Sequence, residues 1–454
     1  VQRKAEEDHS KSDVKGGEVM PKQTDFWSLL KLAQEHISGH YAAALTDPQK
    51  LPQLGAYLEK YLRDQDITVQ GYDDYTLVNR LYSEMAEYSI LTPYLGNESL
   101  EEINVNAWND IALTYLDGSI VKIKEHFHSP QHAVDIIKRL LHHSGMIIDS
   151  AMPIAQGHLP HNTRITALKE PIVDDSCGIS VSIRLLHPSR IERENLIKTE
   201  FATKEMIEFL CMCMRYGISF VVAGATSSGK TTLINALLNS IPDNKRVFTI
   251  ESGSRELSLV REKDGRIVNN VVHTLSRPSD NPAYDISQEQ LVVASLRFNP
   301  DIIAVGEMRD TECYAAVESS LTGHTVISTV HSGAADAAHM RISLLCQKRF
   351  PIDFATSMTQ TGMAFPIVVY IHQLENNARK IMDISECEIL PDGTRRYSTL
   401  YRYNIMRNTI RNNQFEIEGY FDKPNIMSET LNRKLIQYGV PQDLLNKFLK
   451  DGGA

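Results

Sequence analysis

The octapeptide "GATSSGKT", Gly224 to Thr231, has the residue types and spacing of a phosphate cradle. Gly224 and Gly229 let the backbone turn and bring N–H groups up to an anion, with Ala225, Thr226, Ser227 and Ser228 forming the loop between them. Lys230 reaches the outer phosphates, and the Thr231 hydroxyl, followed by Thr232, is placed to coordinate Mg²⁺. The preceding "ISFVVAG" reads as a strand and the following "TLINALLNSI" is apolar at helical spacing. A helix N-terminus would then direct its dipole at the bound anion. A nucleoside triphosphate, ATP, is the expected ligand.

Three stretches downstream carry acids and bases. "TIESGSREL" leaves Glu251 and then Glu256 at the end of a strand, and "FNPDIIAVGEMRD" ends the apolar run Ile302 to Val305 in Gly306 and Glu307, with Arg309 close behind. An aspartate serving the metal is usual where Gly306 stands. "TGHTVISTVHSG" puts His324 before a strand and His331 after it. Ligands of parallel α/β sheets bind off the carboxyl ends of strands, the side that Glu251, Glu307, His331 and the phosphate loop would share. Hydrolysis needs a positioned water, a metal and positive charge on the transferring phosphoryl group. Glu251 is expected to orient or deprotonate the water and Glu307 to hold the Mg²⁺ shell, although the two roles are interchangeable at this level. His331 is placed to sense the terminal phosphate through a ring N–H. The plainer alternatives are a solvated strand-end carboxylate for either Glu and a satisfied core histidine for His331 or His324. Arg297 and Arg309 flank the strand of Ile302 to Val305 and suit structural ion pairs equally well.

These groups need a scaffold. From Thr203 onward short apolar runs alternate with helical or loop segments, the pattern of a mostly parallel sheet covered by helices. Before it, alternation at Ile103, Val105, Ile111, Leu113 and Tyr115, a turn at Asp117-Gly118 and a helix begun by Ser129-Pro130 predict an α+β domain over 93–190. Three amphipathic stripes, led by Phe26, Leu54 and Leu77, predict a helical bundle over 25–92. Residues 1–24 have almost nothing to bury and are expected to be disordered. The ATPase domain is expected over 200–425, with a helical tail over 426–454.

The chain has 454 residues, 42% of them hydrophobic and 23% charged, which suits a soluble protein of two or three domains. A net charge of -10 argues against wholesale wrapping of nucleic acid. The six cysteines follow no framework and are read as reduced packing thiols of a cytosolic protein. No window has the roughly 18 consecutive apolar residues of a membrane span, and the N-terminus lacks the apolar core of a signal peptide. The first residue is Val rather than Met, as expected of a fragment. Seven of the 16 histidines fall between His126 and His161, but no carboxylate or cysteine completes a metal set around His128 and His132.

Taken together, the run "LRFNPDIIAVGEMRD…ESSLTGHTVISTVHSG" and the boxes before it resemble the secretion (traffic) ATPases of type II and type IV secretion systems and type IV pili. The upstream "INVN", "HNTRITALKEPI" and "GISVSIRLL" look most like the branch serving Tad/Flp-type pili and conjugative secretion. The resemblance covers about residues 75 to 390. It implies an α/β, RecA-like P-loop ATPase domain preceded by a smaller α+β domain and an N-terminal helical bundle. It also implies ATP and Mg²⁺ as cofactors, a homo-hexamer, and a membrane platform partner at the inner face of the plasma membrane. Arg164 and Arg184 match basic positions at which the family's N-terminal domain reaches toward nucleotide, with a neighbouring subunit expected to supply them; a surface or ion-paired arginine is the alternative.

Three functions follow: a hexameric motor, a nucleic-acid translocase on the same core, and a nucleotide-gated scaffold with weak hydrolysis. The acidic net charge disfavours the second, and no stable nucleic-acid partner is expected. Only Ser252 supports the third, because the family usually has Asp after the acid of that box. If the scaffold reading holds, Ser252→Asp raises phosphate release; an unchanged and already brisk rate would remove its support.

Overall fold

The computed structural model describes residues 22–41, 50–142, 144–160, 163–185, 192–253, 255–277, 281, 283–411 and 414–449. Most of the segment expected to be disordered lies outside them. Three helices follow, α1 (Phe26–His40), α2 (Leu54–Gln65) and α3 (Asp74–Ala86), and their apolar stripes bury Leu29, Ala33, Ile37, Leu54, Leu58, Leu77 and Leu81 together. Local chemistry sets their starts: the Asp25 carboxylate caps α1, and Asp73 with Thr76 forms a capping box on α3. Two short strands, β1 (Lys22–Thr24) and β2 (Ile67–Val69), pair in parallel beside the helices, a pairing too short for periodicity to signal.

The next unit is an antiparallel sheet of β3 (Leu100–Ala107), β4 (Asp110–Tyr115), β5 (Ile120–Lys122), β6 (Ile154–Leu159), β7 (Thr163–Lys169) and β8 (Ile179–Arg184), in the order β5-β4-β3-β8-β7-β6. Helix α4 (Pro130–His142) lays Ile136, Ile137, Leu140 and Leu141 on the sheet residues Ile103, Val105, Ile165 and Ile183. The Ser129 hydroxyl accepts from the His132 N–H at its start, and Gly145, at φ +71°, follows its end. His132 and His128 serve the joint with the bundle. The His132 ring lies 2.9 Å from buried Glu84 of α3, and His128 stacks on Trp27 of α1. Burial would raise the Glu84 carboxyl, but bonds to His132 and Ser89 and the nearby Arg80 outweigh it and hold it low.

The largest unit is a nine-stranded sheet. Its strands are β9 (Phe220–Gly224), β10 (Arg246–Ser252), β13 (Asn270–Ser276), β14 (Ile302–Val305), β15 (Thr325–Val330), β16 (Ile367–Gln373), β17 (Arg379–Ile389), β18 (Arg395–Arg411) and β19 (Gln414–Asp422). A small hairpin, β11 (Glu262–Lys263) and β12 (Arg266–Ile267), stands outside it. The order is β13-β10-β14-β15-β9-β16-β17-β18-β19; the first six are parallel and the last three antiparallel. Strands β9, β14 and β15 are buried throughout, which is why they read as continuous apolar runs.

Alternate residues of these strands enter two cores. Phe220, Val222 and Ile327 pack with α5 (Arg193–Lys198), α6 (Lys204–Arg215) and α7 (Lys230–Leu238). Val221, Ala223 and Val326 pack on the opposite side with α8 (Gln288–Ser295), α9 (Glu312–Leu321), α10 (Ala335–Arg349) and α11 (Phe354–Ala364). The helical segment after residue 426 packs into the first core rather than trailing from it. Leu431 and Leu435 of α12 (Glu429–Gln437), with Leu445 and Phe448 beyond, are buried there, and Phe448 meets Phe209 at 5.6 Å between ring centroids. Leu435→Ala should therefore lower unfolding free energy by about 2–5 kcal/mol in denaturant titration; a loss below ~0.5 kcal/mol would mean a peripheral segment.

Candidate active site

Register brings the functional strand ends together. Ile250 lies beside Val305, Val305 beside Ser328, and Val330 beside Ala223. The four parallel strands β10, β14, β15 and β9 therefore finish nearly level, and Glu251, Glu307, His331 and the phosphate loop emerge on one side. Because β15 separates β9 from β14, the histidine at its end stands between Lys230 and Glu307.

The loop from Ala225 to Gly229 takes left-handed backbone at Ser227, φ +59°, and at Gly229, φ +99°, before α7 begins at Lys230. Gly224 is required for packing: a Cβ there would lie 2.5 Å from the Ile371 carbonyl oxygen of β16 and 2.7 Å from Ser228 Oγ. Ser228 Oγ donates to the Ala225 carbonyl at 2.8 Å and closes the loop on itself. The Lys230 ammonium donates to the carbonyls of Gly224 at 3.1 Å and Ala225 at 2.7 Å, so the cation is held at the base of its own loop. Burial lowers its pKa, and Glu307 pushes the other way.

Glu251 is only 3% exposed. Its Oε1 accepts from the backbone N–H groups of Glu256 at 2.7 Å and Leu257 at 3.0 Å, while its buried Oε2 has no hydrogen-bond partner among the described residues. Burial raises its pKa to about 7, against the lowering effect of those two N–H donors. That value suits a group that takes a proton from water near neutral pH. The adjoining Gly306 makes room for it: a Cβ at 306 would stand 3.3 Å from Glu251 Cγ and 3.5 Å from the Ile250 carbonyl. An aspartate at that position would crowd the buried carboxylate.

Glu307 lies between a histidine and an arginine. His331 Nε2 is 2.9 Å from Oε1, and Arg309 pairs with Oε2. Burial and the neighbouring Lys230 lower the His331 pKa, and Glu307 partly offsets them. The bond to Glu307 raises that of Arg309. Thr329 Oγ1 donates to the Gly306 carbonyl and the Met308 N–H donates to the Thr329 carbonyl, both at 2.8 Å, which fixes the turn carrying Glu307.

Lys230, Glu307, Arg309 and His331 border a cleft of about 820 Å³ that also contains Arg164 and Arg184 of the same chain, whereas Glu251 is not among its lining residues. The expectation places these arginines on a neighbouring subunit; within one chain both already line this cleft. The linker entering the ATPase domain buries Leu196 of α5 and Phe201 against that domain's core, and both residues line the cleft, which holds the antiparallel sheet over its own phosphate loop. Arg164 of β7 and Arg184 of β8 are directly paired across the strands. Like charges so placed repel unless an anion lies near them. Glu101 approaches Arg184 at 3.5 Å, and Arg164 has no ion-pair partner among the described residues.

The remaining candidates divide. Thr226 to Thr232, Glu256 and Arg309 line the cleft. His324 precedes β15 and Arg297 precedes β14, so both belong to the opposite edge of the sheet, and Arg297 is exposed. Ser252 ends β10 exposed, beside Ser276. Sequence reading missed Glu101, Asn235, Arg255 and Arg379 of the lining; Arg255 lies within "TIESGSREL" and Asn235 within "TLINALLNSI" without being singled out, whereas Glu101 and Arg379 sit in no motif and only folding brings them there. The residues fit a nucleotide and its metal ion. The loop supplies a lysine and left-handed turns, the N-terminal sheet adds paired arginines, and Thr231 and Glu307 offer the oxygen ligands that Mg²⁺ prefers.

A parallel sheet with this loop, this strand order and acids at neighbouring strand ends defines a RecA-like P-loop ATPase domain, here preceded by an antiparallel α+β unit. The chain belongs to the type II/IV secretion system protein family, whose model matches residues 84–382. It is 26% identical over 351 residues to an uncharacterized protein of Methanocaldococcus jannaschii, covering 70% of this chain and 59% of that one. It is 31% identical over 191 residues to the type IV secretion system protein PtlH of Bordetella pertussis, covering 40% and 54%. The chain thus spans somewhat over half the length of these two relatives. The solved ATPase DotB of Legionella pneumophila is similar at 18% identity and a TM-score of 0.44, with 78% of this chain and 84% of that one covered.

The raised Glu251 pKa has a sign that can be tested. Between the ordinary glutamate value of 4.5 and about 7, the folded chain holds a proton that the unfolded chain releases. This stabilisation is fully present below the unfolded pKa and is lost as pH rises through 7. Glu251→Gln, which cannot ionise, should therefore gain stability over wild type above pH 7, by at most about 3 kcal/mol. Equal slopes of stability against pH for the two proteins between pH 5 and 8 would refute the buried carboxylate.

Proposed function

We propose that this protein is the ATP-hydrolysing subunit of a hexameric motor that drives pilus assembly of the Tad/Flp kind, or secretion, from the cytoplasmic face of a membrane. One observation carries the reading: Lys230, Glu307, His331, Arg164 and Arg184 border a single cleft between two domains, and buried Glu251 stands at the adjoining strand end. No described helix is long and apolar enough to cross a membrane. A membrane platform protein is the proposed partner that receives the motion.

In this reading the loop N–H groups and the Lys230 ammonium hold the β- and γ-phosphates. Glu251 takes the proton of the attacking water; its Oε1 is fixed by two backbone donors, which leaves Oε2 as the basic atom. Arg164 and Arg184 place positive charge on the transferring group from the N-terminal side, a contribution of roughly 10³ to 10⁵ in rate for such arginines. Mg²⁺, held by Thr231 and Glu307, would neutralise charge on the phosphate oxygens. His331 reads the terminal phosphate from beside Glu307. ATP binding draws the two cleft walls together and product release lets them part, as rigid bodies.

Lys230→Ala and Glu307→Ala should each abolish phosphate release in steady-state assays of folded protein; normal turnover by either sinks the site. Because both arginines face their own chain's loop, mixing Arg164→Ala with Lys230→Ala subunits should restore no activity. Recovery in mixed rings would show that the arginines act across subunits.

A further inference from the structure

Arg379, the first residue of β17, belongs to none of the motif boxes, yet it stands over the phosphate loop. A Cβ added to Gly229 would lie 3.6 Å from Arg379 Cδ, and its guanidinium lines the cleft with Lys230, Arg164 and Arg184. Its Nε is buried and has no hydrogen-bond partner among the described residues. The only ion pair seen for it there is a long one, 3.6 Å to Glu101 Oε2. Glu101, on β3 of the N-terminal sheet, is shared: its other oxygen is 3.5 Å from Arg184. One carboxylate therefore stands between an arginine from each wall of the cleft, too far from either for a good charge-assisted bond, which runs about 2.7–2.9 Å.

The turn that carries Arg379 is itself held by the other domain. Asn377 takes left-handed backbone, φ +62°, and its side chain rests on the β4–β5 turn, where a Cβ at Gly118 would meet Asn377 Cγ at 3.0 Å. Arg379 is thus positioned both by the phosphate-loop domain it belongs to and by the sheet that carries Arg164 and Arg184.

Resting on the nucleotide reading above, we propose that Arg379 is a further phosphate-binding residue and that Glu101 is the internal anion which nucleotide phosphate displaces from Arg379 and Arg184. Two weak contacts to one shared carboxylate give way to direct guanidinium–phosphate pairs. Occupancy of the loop is then felt at the joint between the domains, because the same two arginines make both sets of contacts.

The test is equilibrium binding of a fluorescent, non-hydrolysable ATP analogue with Mg²⁺ to the full chain. Charge-assisted bonds of this kind predict that Arg379→Gln weakens binding roughly tenfold to a hundredfold, and that Arg379→Lys recovers part of the loss. Glu101→Gln is expected to tighten binding roughly two- to fivefold, a gain that misfolding cannot mimic. In an Arg379→Gln background that gain should shrink. Weaker or unchanged binding by Glu101→Gln, or an unchanged dissociation constant for Arg379→Gln, overturns the proposal. If instead wild type fails to bind, or Lys230→Ala binds as wild type does, it is the nucleotide reading itself that fails.

Discussion

The functional edge of this protein depends on one constraint: hydrogen-bonded register fixes where the ends of neighbouring parallel strands stand relative to one another. With Ile250, Val305 and Ser328 in neighbouring rows, and Val330 beside Ala223, the chain has no freedom to separate its acids from its phosphate loop. The apolar strands beneath are buried on both faces, so a slip in register would exchange residues between the two cores. The placement of Glu251, Glu307 and His331 is thereby tied to the packing of Val221 and Val222 beneath the turns that follow the strands.

The second consequence concerns space. Burying a carboxylate without full hydrogen bonding is unfavourable; two N–H donors hold one oxygen of Glu251, and burial raises the pKa of the group to about 7. Such a side chain at the end of β10 leaves little room on β14, and Gly306 is the residue that leaves most. The acid of this strand end stands one position further along, at Glu307, where His331 and Arg309 flank it. The Gly-Glu ending of this strand therefore answers to the bulk and charge of its neighbour. Ser252, which departs from the family's usual pattern, ends exposed beside Ser276.

The phosphate loop, the acids and the alternation of strands and helices were legible because each is a local pattern with a local physical cause. The joining of Arg164 with Arg184 was legible only in part: the resemblance singled out both, but their facing their own chain's loop depends on how Leu196 and Phe201 anchor the linker. Glu101 and Arg379 gave no signal at all, since their meaning comes from a distance across two domains. The same holds for Leu435 and Phe448, whose helical segment could be read but whose burial beneath α6 could not. Strands β1, β2, β11 and β12, at two or three residues each, are too short for any period to show.

The contacts that hold the domains together are gathered around the cleft. His158 of β6 lies against Gly253, where a Cβ would come within 2.9 Å of its Nε2; Asn377 rests on Gly118; and Glu101 stands between Arg184 and Arg379. His158 also pairs across the sheet with Arg164. Each contact therefore sits within a few residues of a group assigned to nucleotide, and in the Glu101 bridge the assigned arginines are the contact. A ligand that binds between the arginines and the phosphate loop better when the domains are apposed favours apposition, and apposition favours its binding by the same factor.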